Sequence, residues 1–63
     1  MRQFKINNIN LLEVVTEMVK RKDLKTLSFD TETIGFTVFG LDAEMRDLQL
    51  ALDEKKIDYE ILI

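Results

Sequence analysis

Residues 25–39 read KTLSFDTETIGFTVF, and this stretch decides the fold because it contains two alternating segments around a short polar turn. Leu27 and Phe29 in 25–30, and Ile34, Phe36 and Val38 in 34–39, recur at every second position, which is the period of a half-buried β-strand. The polar turn between the two segments predicts a hairpin. Pairing Phe29 with Ile34 would place the apolar side chains of both strands on one face, as a one-sided core requires.

Two kinds of pattern lie on either side of the hairpin. Alternation predicts two further strands, and helical spacing of apolar residues predicts two amphipathic helices. These elements are a strand at 2–7, a helix at 10–22, a helix at 42–55 and a strand at 57–63. Asn10, three residues before Glu13, and Asp42 are expected to be the N-caps of the two helices, because their side chains can accept backbone N–H groups.

The order of the elements is β-α-β-β-α-β within one domain, residues 1–63. With right-handed crossovers, this order predicts a four-stranded antiparallel sheet in the spatial order 4-1-3-2, with both helices on one face. The predicted fold class is therefore α+β, in the arrangement of a ferredoxin-like sandwich. The first and last strands are then neighbours, and Lys5 would lie opposite Glu60 or, in a register shifted by two residues, opposite Asp58.

Each strand and each helix is expected to contribute apolar side chains to a single core between the sheet and the helices. The residues predicted to be buried are Phe4, Ile6, Val15, Met18, Leu27, Phe29, Phe36, Val38, Met45, Leu48, Leu52, Tyr59 and Ile61.

The composition argues against several classes of function. The chain has 63 residues and a formal net charge of −3, and it contains neither cysteine nor histidine. We therefore expect no disulfide, no metal site and no cofactor. The commonest catalytic base and the best nucleophile are missing, and the only serine, Ser28, has no histidine to activate it. An enzyme is not expected.

Nucleic acids and membranes are not expected as partners either. The chain is acidic, and Phe39 is the only aromatic residue of the third strand that would face the open side of the sheet, whereas RNA-binding sheets carry stacked aromatics beside basic residues. No apolar run approaches the ~20 residues that span a bilayer. The first residues, MRQFKINN, lack the apolar stretch of a signal peptide, so the expected compartment is the cytoplasm.

Three hydrophobic residues are expected outside the core. Phe39 and Leu62 have the parity of the open face, and the topology places them on either side of Gln3. Leu50 falls opposite the apolar stripe of the second helix. Because clustered apolar surface marks contact sites, Phe39, Leu62, Gln3 and Leu50 form the candidate protein interface.

A core this small, without a disulfide or a metal, predicts self-association as a further source of stability, and we expect a homodimer. Two surfaces could pair with a second copy: the open-face spot of Phe39, Gln3 and Leu62, and the unpaired edge of the second strand. The open-face spot is favoured, because its burial removes apolar surface from water. If a different protein occupies that spot, the free chain would be a monomer.

The chain also resembles, at the level of topology, small regulatory modules of the ACT type. Its first strand runs into the loop Asn8-Ile9-Asn10 and then into Leu11-Leu12, which looks like the start of such a domain. The resemblance implies that an amino acid or a similar small effector binds at a subunit interface, next to a glycine in that loop. The loop of this chain has no glycine. Heavy-metal-associated domains share the arrangement, but their paired cysteines are missing here.

Two functions are therefore expected. The first is a small non-enzymatic protein-interaction module that acts as an inhibitor, an adaptor or a regulatory subunit. One concrete form would be an anti-defence inhibitor of the kind that phages and mobile elements encode. The alternative is an ACT-like effector-binding regulatory domain.

Overall fold

The computed structural model describes all 63 residues and contains four strands and two α-helices. Their bounds are β1 Arg2–Ile6, α1 Leu12–Arg21, β2 Ser28–Thr31, β3 Phe36–Gly40, α2 Asp42–Glu54 and β4 Glu60–Ile61, with a 3₁₀ turn at Ile9–Leu11 before α1. The strands form one antiparallel sheet in the order β2-β3-β1-β4. Read from the β4 edge, the same succession is 4-1-3-2. The predicted α+β class, with a four-stranded antiparallel sheet and two helices, is confirmed.

The core is one cluster, to which both helices and one face of the sheet contribute. Its members are Phe4, Ile6, Val15, Met18, Val19, Leu24, Phe36, Val38, Met45, Leu48, Ala51 and Leu52. Val19, Leu24 and Ala51 were not predicted. Leu27, Phe29 and Tyr59, which were predicted to be buried, are half-buried. Ile61 was also predicted to be buried, but it is 50% exposed because the short β4 lies at the edge of the sheet.

The predicted register of the hairpin is wrong. Phe29 pairs with Val38, and Ile34 lies outside the pairing in a four-residue loop. The Glu32 N–H closes this loop by donating to the Gly35 carbonyl at 2.8 Å. The loop is long because its backbone packs against the end of β1. The Ile34 carbonyl accepts the N–H of Ile9 at 3.0 Å, which leaves the Ile34 side chain 69% exposed.

Both predicted helix caps are also corrected. Asn8 is the capping residue of the first helical segment, and its Oδ1 accepts the backbone N–H of Asn10 at 3.0 Å. An Asn side chain can reach the backbone two residues on, so the chain enters a 3₁₀ turn before α1 begins. Leu41 holds the N-cap position of α2 and makes no side-chain cap. Asp42 is already helical, and its carboxylate lies 3.1 Å from the amino group of Met1.

Candidate functional site

The candidate site lies on the open face of the sheet, the face that the core does not cover. Side chains there alternate with core residues such as Phe4 and Val38, and the pairing aligns them in two rows across the strands. We call the first the Phe39 row, which consists of Ser28, Phe39, Gln3 and Leu62. We call the second the Lys5 row, which consists of Asp30, Thr37, Lys5 and Glu60.

The Phe39 row is assembled by β1. Gln3 pairs with Phe39 on one side. On the other side, its carbonyl accepts the N–H of Leu62 at 2.8 Å, and its N–H donates to the Ile63 carbonyl at 3.1 Å. Two residues thus oppose one residue of β1, which is the arrangement of a β-bulge. The structure therefore brings together Phe39, Gln3 and Leu62, as the sequence predicts.

The bulge also takes Ile63 out of the alternation of the last strand. Strict alternation would turn Ile63 toward the core, but the extra residue ends the alternation, and Ile63 is 65% exposed. Leu62 is 44% exposed, while Phe39 and Gln3 are half-buried. The apolar surface at this edge is therefore larger than the sequence pattern indicates.

Two further apolar residues extend the Phe39 row toward one end of the sheet. Met1 precedes the Arg2–Gly40 pair and Leu41 follows it, so alternation places both beside Gln3 and Phe39 on the open face. They are 70% and 56% exposed. Neither residue was predicted to be part of the interface. The signal that could have found them is the register of β1 against β3. We call Met1, Gln3, Phe39, Leu41 and Leu62 together the apolar end.

The Lys5 row is polar and acidic. Lys5 pairs with Glu60 in the backbone register, as predicted, but its Nζ lies 3.2 Å from the carboxylate of Glu32 in the hairpin loop. Asp30 stands on the other side of Thr37. Lys5 against Asp30, Glu60 and the loop residue Glu32 leaves a net charge of −2 on this part of the open face.

Leu50, the fourth residue of the predicted interface, is separate from the other three. It is 63% exposed on α2, a helix whose buried side chains belong to the core cluster on the opposite face of the sheet. The structure therefore does not place it in one surface with the apolar end.

A concave surface, separate from the apolar end, lies between the end of β1 and the segment that leads into β4. This cleft has a volume of about 560 Å³ and is lined by Lys5, Ile6, Asn7, Asn8, Leu11, Lys56, Ile57, Asp58, Tyr59 and Glu60. The Tyr59 hydroxyl donates to Asp53 Oδ1 at 2.8 Å. Burial raises the pKa of Tyr59 above its ordinary value, and the neighbouring Asp53 adds to that rise. The phenol is therefore a neutral donor at physiological pH.

The structure shows no group of three or more Asp or Glu side chains placed to hold a metal ion. None of its helices combines the length and the apolar character needed to cross a membrane.

No protein-family model matches the chain, and neither a curated protein nor a solved structure matches it significantly.

Proposed function

We propose that this chain is a cytoplasmic, non-enzymatic protein-interaction module with ferredoxin-like topology, and that it binds a protein partner through the apolar end. The observation that carries the proposal is the juxtaposition of Phe39 and Leu62 on either side of Gln3. These residues are distant in the sequence, and the pairing of β1 with two neighbours places them in one row. An inhibitor, an adaptor or a regulatory subunit would use such a surface.

The ferredoxin-like assignment rests on the order of the elements and on the neighbours of each strand. The elements follow as β-α-β-β-α-β, and β1 lies between β3 and β4. Crossovers of right-handed sense would then place both helices over the same face, which agrees with the single core cluster.

The charge beside the apolar end defines the chemistry of the partner. Interfaces combine a desolvated apolar centre with a polar rim, and complementary charge at the rim speeds and orients association. On the side of the Lys5 row, the rim carries Asp30, Glu32 and Glu60 against Lys5, and at the other end the Met1 ammonium group is paired with Asp42. The partner surface is therefore expected to present an apolar anchor flanked by lysine or arginine.

The test compares two variants in affinity capture from the native host. Phe39→Ser/Leu62→Ser removes the centre of the apolar end, and Leu50→Ser removes a comparably exposed leucine elsewhere. The partner should be retained by the wild type and by the Leu50 variant and lost by the double variant. Reconstitution with the purified partner should then show the same difference in affinity.

Retention of the partner by a folded double variant would contradict the proposal, and so would its loss in the Leu50 variant alone. A circular dichroism spectrum and a thermal melt of each variant establish folding, because Phe39 is half-buried.

The cleft supports a second candidate function, the binding of a small effector. Its walls carry lysines as well as the carboxylates of Asp58 and Glu60, which matches the two charges of a free amino acid. A thermal-shift screen against amino acids and nucleotides tests this candidate, since a ligand specific for the folded state raises the melting temperature. Lys56→Glu should abolish the shift, and no shift with any compound would exclude the candidate.

A further inference from the structure

We propose that two copies of this chain associate through β2, with the two edges antiparallel and centred on Phe29, so that their sheets join into one. This surface differs from the apolar end and leaves Phe39, Gln3 and Leu62 free for a partner, although Ser28 and Asp30 of the open face take part in it. It also reverses the preference drawn from the sequence, which favoured the open-face spot for self-association.

The hydrogen bonds between β2 and β3 determine which backbone groups of β2 point away from the sheet. β2 pairs only with β3, so its other side is an edge of the sheet. The Glu32 N–H donates to the Gly35 carbonyl at the hairpin end. Alternate residues of a strand bond to the same neighbour, so every second residue counted back from Glu32 directs its N–H and C=O groups toward β3. Those residues are Ser28 and Asp30. Phe29 and Thr31 alternate with them and direct their N–H and C=O groups outward, where no strand receives them.

Side-chain chemistry then selects the register. With Phe29 opposite its own copy, Ser28 of each chain lies opposite Asp30 of the other. The hydroxyl can donate to the carboxylate, and the two-fold symmetry forms this contact twice. A register centred on Asp30 would instead oppose two like charges, which destabilises an antiparallel pair.

Other registers are less favourable because of residues in and beside β2. A shift toward the hairpin places Asp30 opposite Glu32, again a repulsive pair. A shift the other way reaches Thr26, whose N–H and hydroxyl are both bound to Glu44 at 2.9 Å, so the strand has already turned toward α2.

The same register also buries apolar surface on the core face of β2. Phe29 is only half-buried, with its ring 6.1 Å from that of Phe36. A second Phe29 beside it would form a cross-strand aromatic pair over the exposed part of the ring. The opposite edge offers no such match, because β4 has only two residues and carries Glu60, with Asp58 just before it.

The test is sedimentation equilibrium of the wild type and of Thr31→Pro. Proline is tolerated in an edge strand where the N–H faces outward, so this variant keeps the β2–β3 pairing but removes a donor and places a ring in the interface. The wild type should dimerise at high micromolar concentration, and Thr31→Pro should be monomeric. Hydrogen exchange at the amides of Phe29 and Thr31 should slow as the wild-type concentration rises.

Variants that change the charge of β2 test the register. One of them is expected to bind its copy more tightly, a result that a misfolded chain could not give. Ser28→Lys should tighten the dimer about tenfold, because two lysine–aspartate contacts form, and Ser28→Asp should weaken it about tenfold. Asp30→Asn should weaken association, whereas a register centred on Asp30 predicts that it strengthens association.

Three results would overturn the proposal. One is a wild-type chain that stays monomeric at millimolar concentration, and another is a folded Thr31→Pro variant that still dimerises. The third is a dimer lost in Phe39→Ser/Leu62→Ser but kept in Thr31→Pro, which would assign self-association to the apolar end. Loss of a hetero-partner in the double variant with the dimer intact would support both proposals independently.

Discussion

Two residues hold left-handed backbone conformations directly after the helices. Asp23 follows α1 with φ 57°, and Lys56 follows α2 with φ 59°. In each case the next residue closes the helix end, as when the Ile57 N–H donates to the Leu52 carbonyl at 2.9 Å. This is a Schellman motif, in which the left-handed position is most often glycine. A side chain with a Cβ is strained there.

Lys56→Gly should therefore stabilise the chain by about 0.5–1 kcal/mol, because relief of the left-handed strain exceeds the entropy that glycine loses on folding. Lys55→Gly is the matched control. Lys55 has a negative φ of −88°, which any residue adopts without strain, so glycine relieves no strain there and should destabilise the chain. Urea unfolding measures both, and equal effects of the two variants would contradict this account.

The two glycines differ in what a side chain would meet. A Cβ at Gly35 would overlap the carbonyl oxygen of Ile6, which the backbone of β1 holds in place. A Cβ at Gly40 would lie 2.5 Å from Leu27 Cδ2, an atom at the end of a flexible side chain, and its nearest backbone atom, the Thr26 carbonyl oxygen, would be 3.1 Å away. Gly35→Ala should cost about 1–3 kcal/mol and Gly40→Ala clearly less. The reverse order in thermal or urea unfolding would refute the close approach at Gly35.

Within α2, burial alternates between the core side and the outer side. Leu48 is fully buried and Leu50, two positions later, is 63% exposed. Leu48→Ala should cost about 2–5 kcal/mol, most of the stability of so small a domain. Leu50→Ala should change the free energy of unfolding by less than about 0.5 kcal/mol. Chemical denaturation of both variants checks the predicted orientation of the helix.

Strands and helices could be predicted from the sequence because their periods are local. The alternation around Phe4 and the helical spacing of Met45, Leu48 and Leu52 are each complete within one segment. The hairpin register could not, because it depends on the docking of the Ile34 carbonyl onto Ile9, a contact between distant segments. The cap of the first helical segment was misplaced because Asn8 and Asn10 both satisfy the local rule. The cap of α2 was misplaced because that helix begins after Leu41, which makes no side-chain cap.

The candidate site could be predicted only in part. Phe39, Gln3 and Leu62 meet because topology alone fixes which strands are neighbours. The positions of Met1 and Leu41 in the apolar end depend on the exact register of β1 against β3, and the exposure of Ile63 depends on a bulge. No local pattern in the sequence signals either feature.

The stability of the entire fold should depend on pH through Glu44, which joins α2 to the segment before β2. Its Oε1 accepts the Thr26 N–H and the Thr26 hydroxyl, each at 2.9 Å. The backbone hydrogen bond from Thr26 is the main reason that the pKa of Glu44 lies below its ordinary value. Because the folded chain holds this group ionised, its contribution is complete above the unfolded pKa of about 4.3 and is lost as the pH falls through the lower, folded pKa.

Glu44→Gln should accordingly destabilise the chain at pH 7, and its unfolding free energy should converge with that of the wild type as the pH falls. Glu54→Gln, on the same helix, is the control, since Glu54 makes no side-chain hydrogen bond or ion pair. Urea unfolding between pH 3 and pH 7 compares the three chains. A constant difference between Glu44→Gln and the wild type across this range would contradict the linkage.

The central position of β1 has a consequence for how the chain is made. Ile6 pairs with Phe36 and Phe4 pairs with Ile61, so both neighbours of β1 are synthesised much later than β1 itself. During translation β1 emerges as an apolar strand with no partner on either side. The β2–β3 hairpin can form locally, but the sheet closes only after β4 has left the ribosome. Until then β1 lacks one of its two neighbours, so the folding of residues 1–63 is completed late in their synthesis.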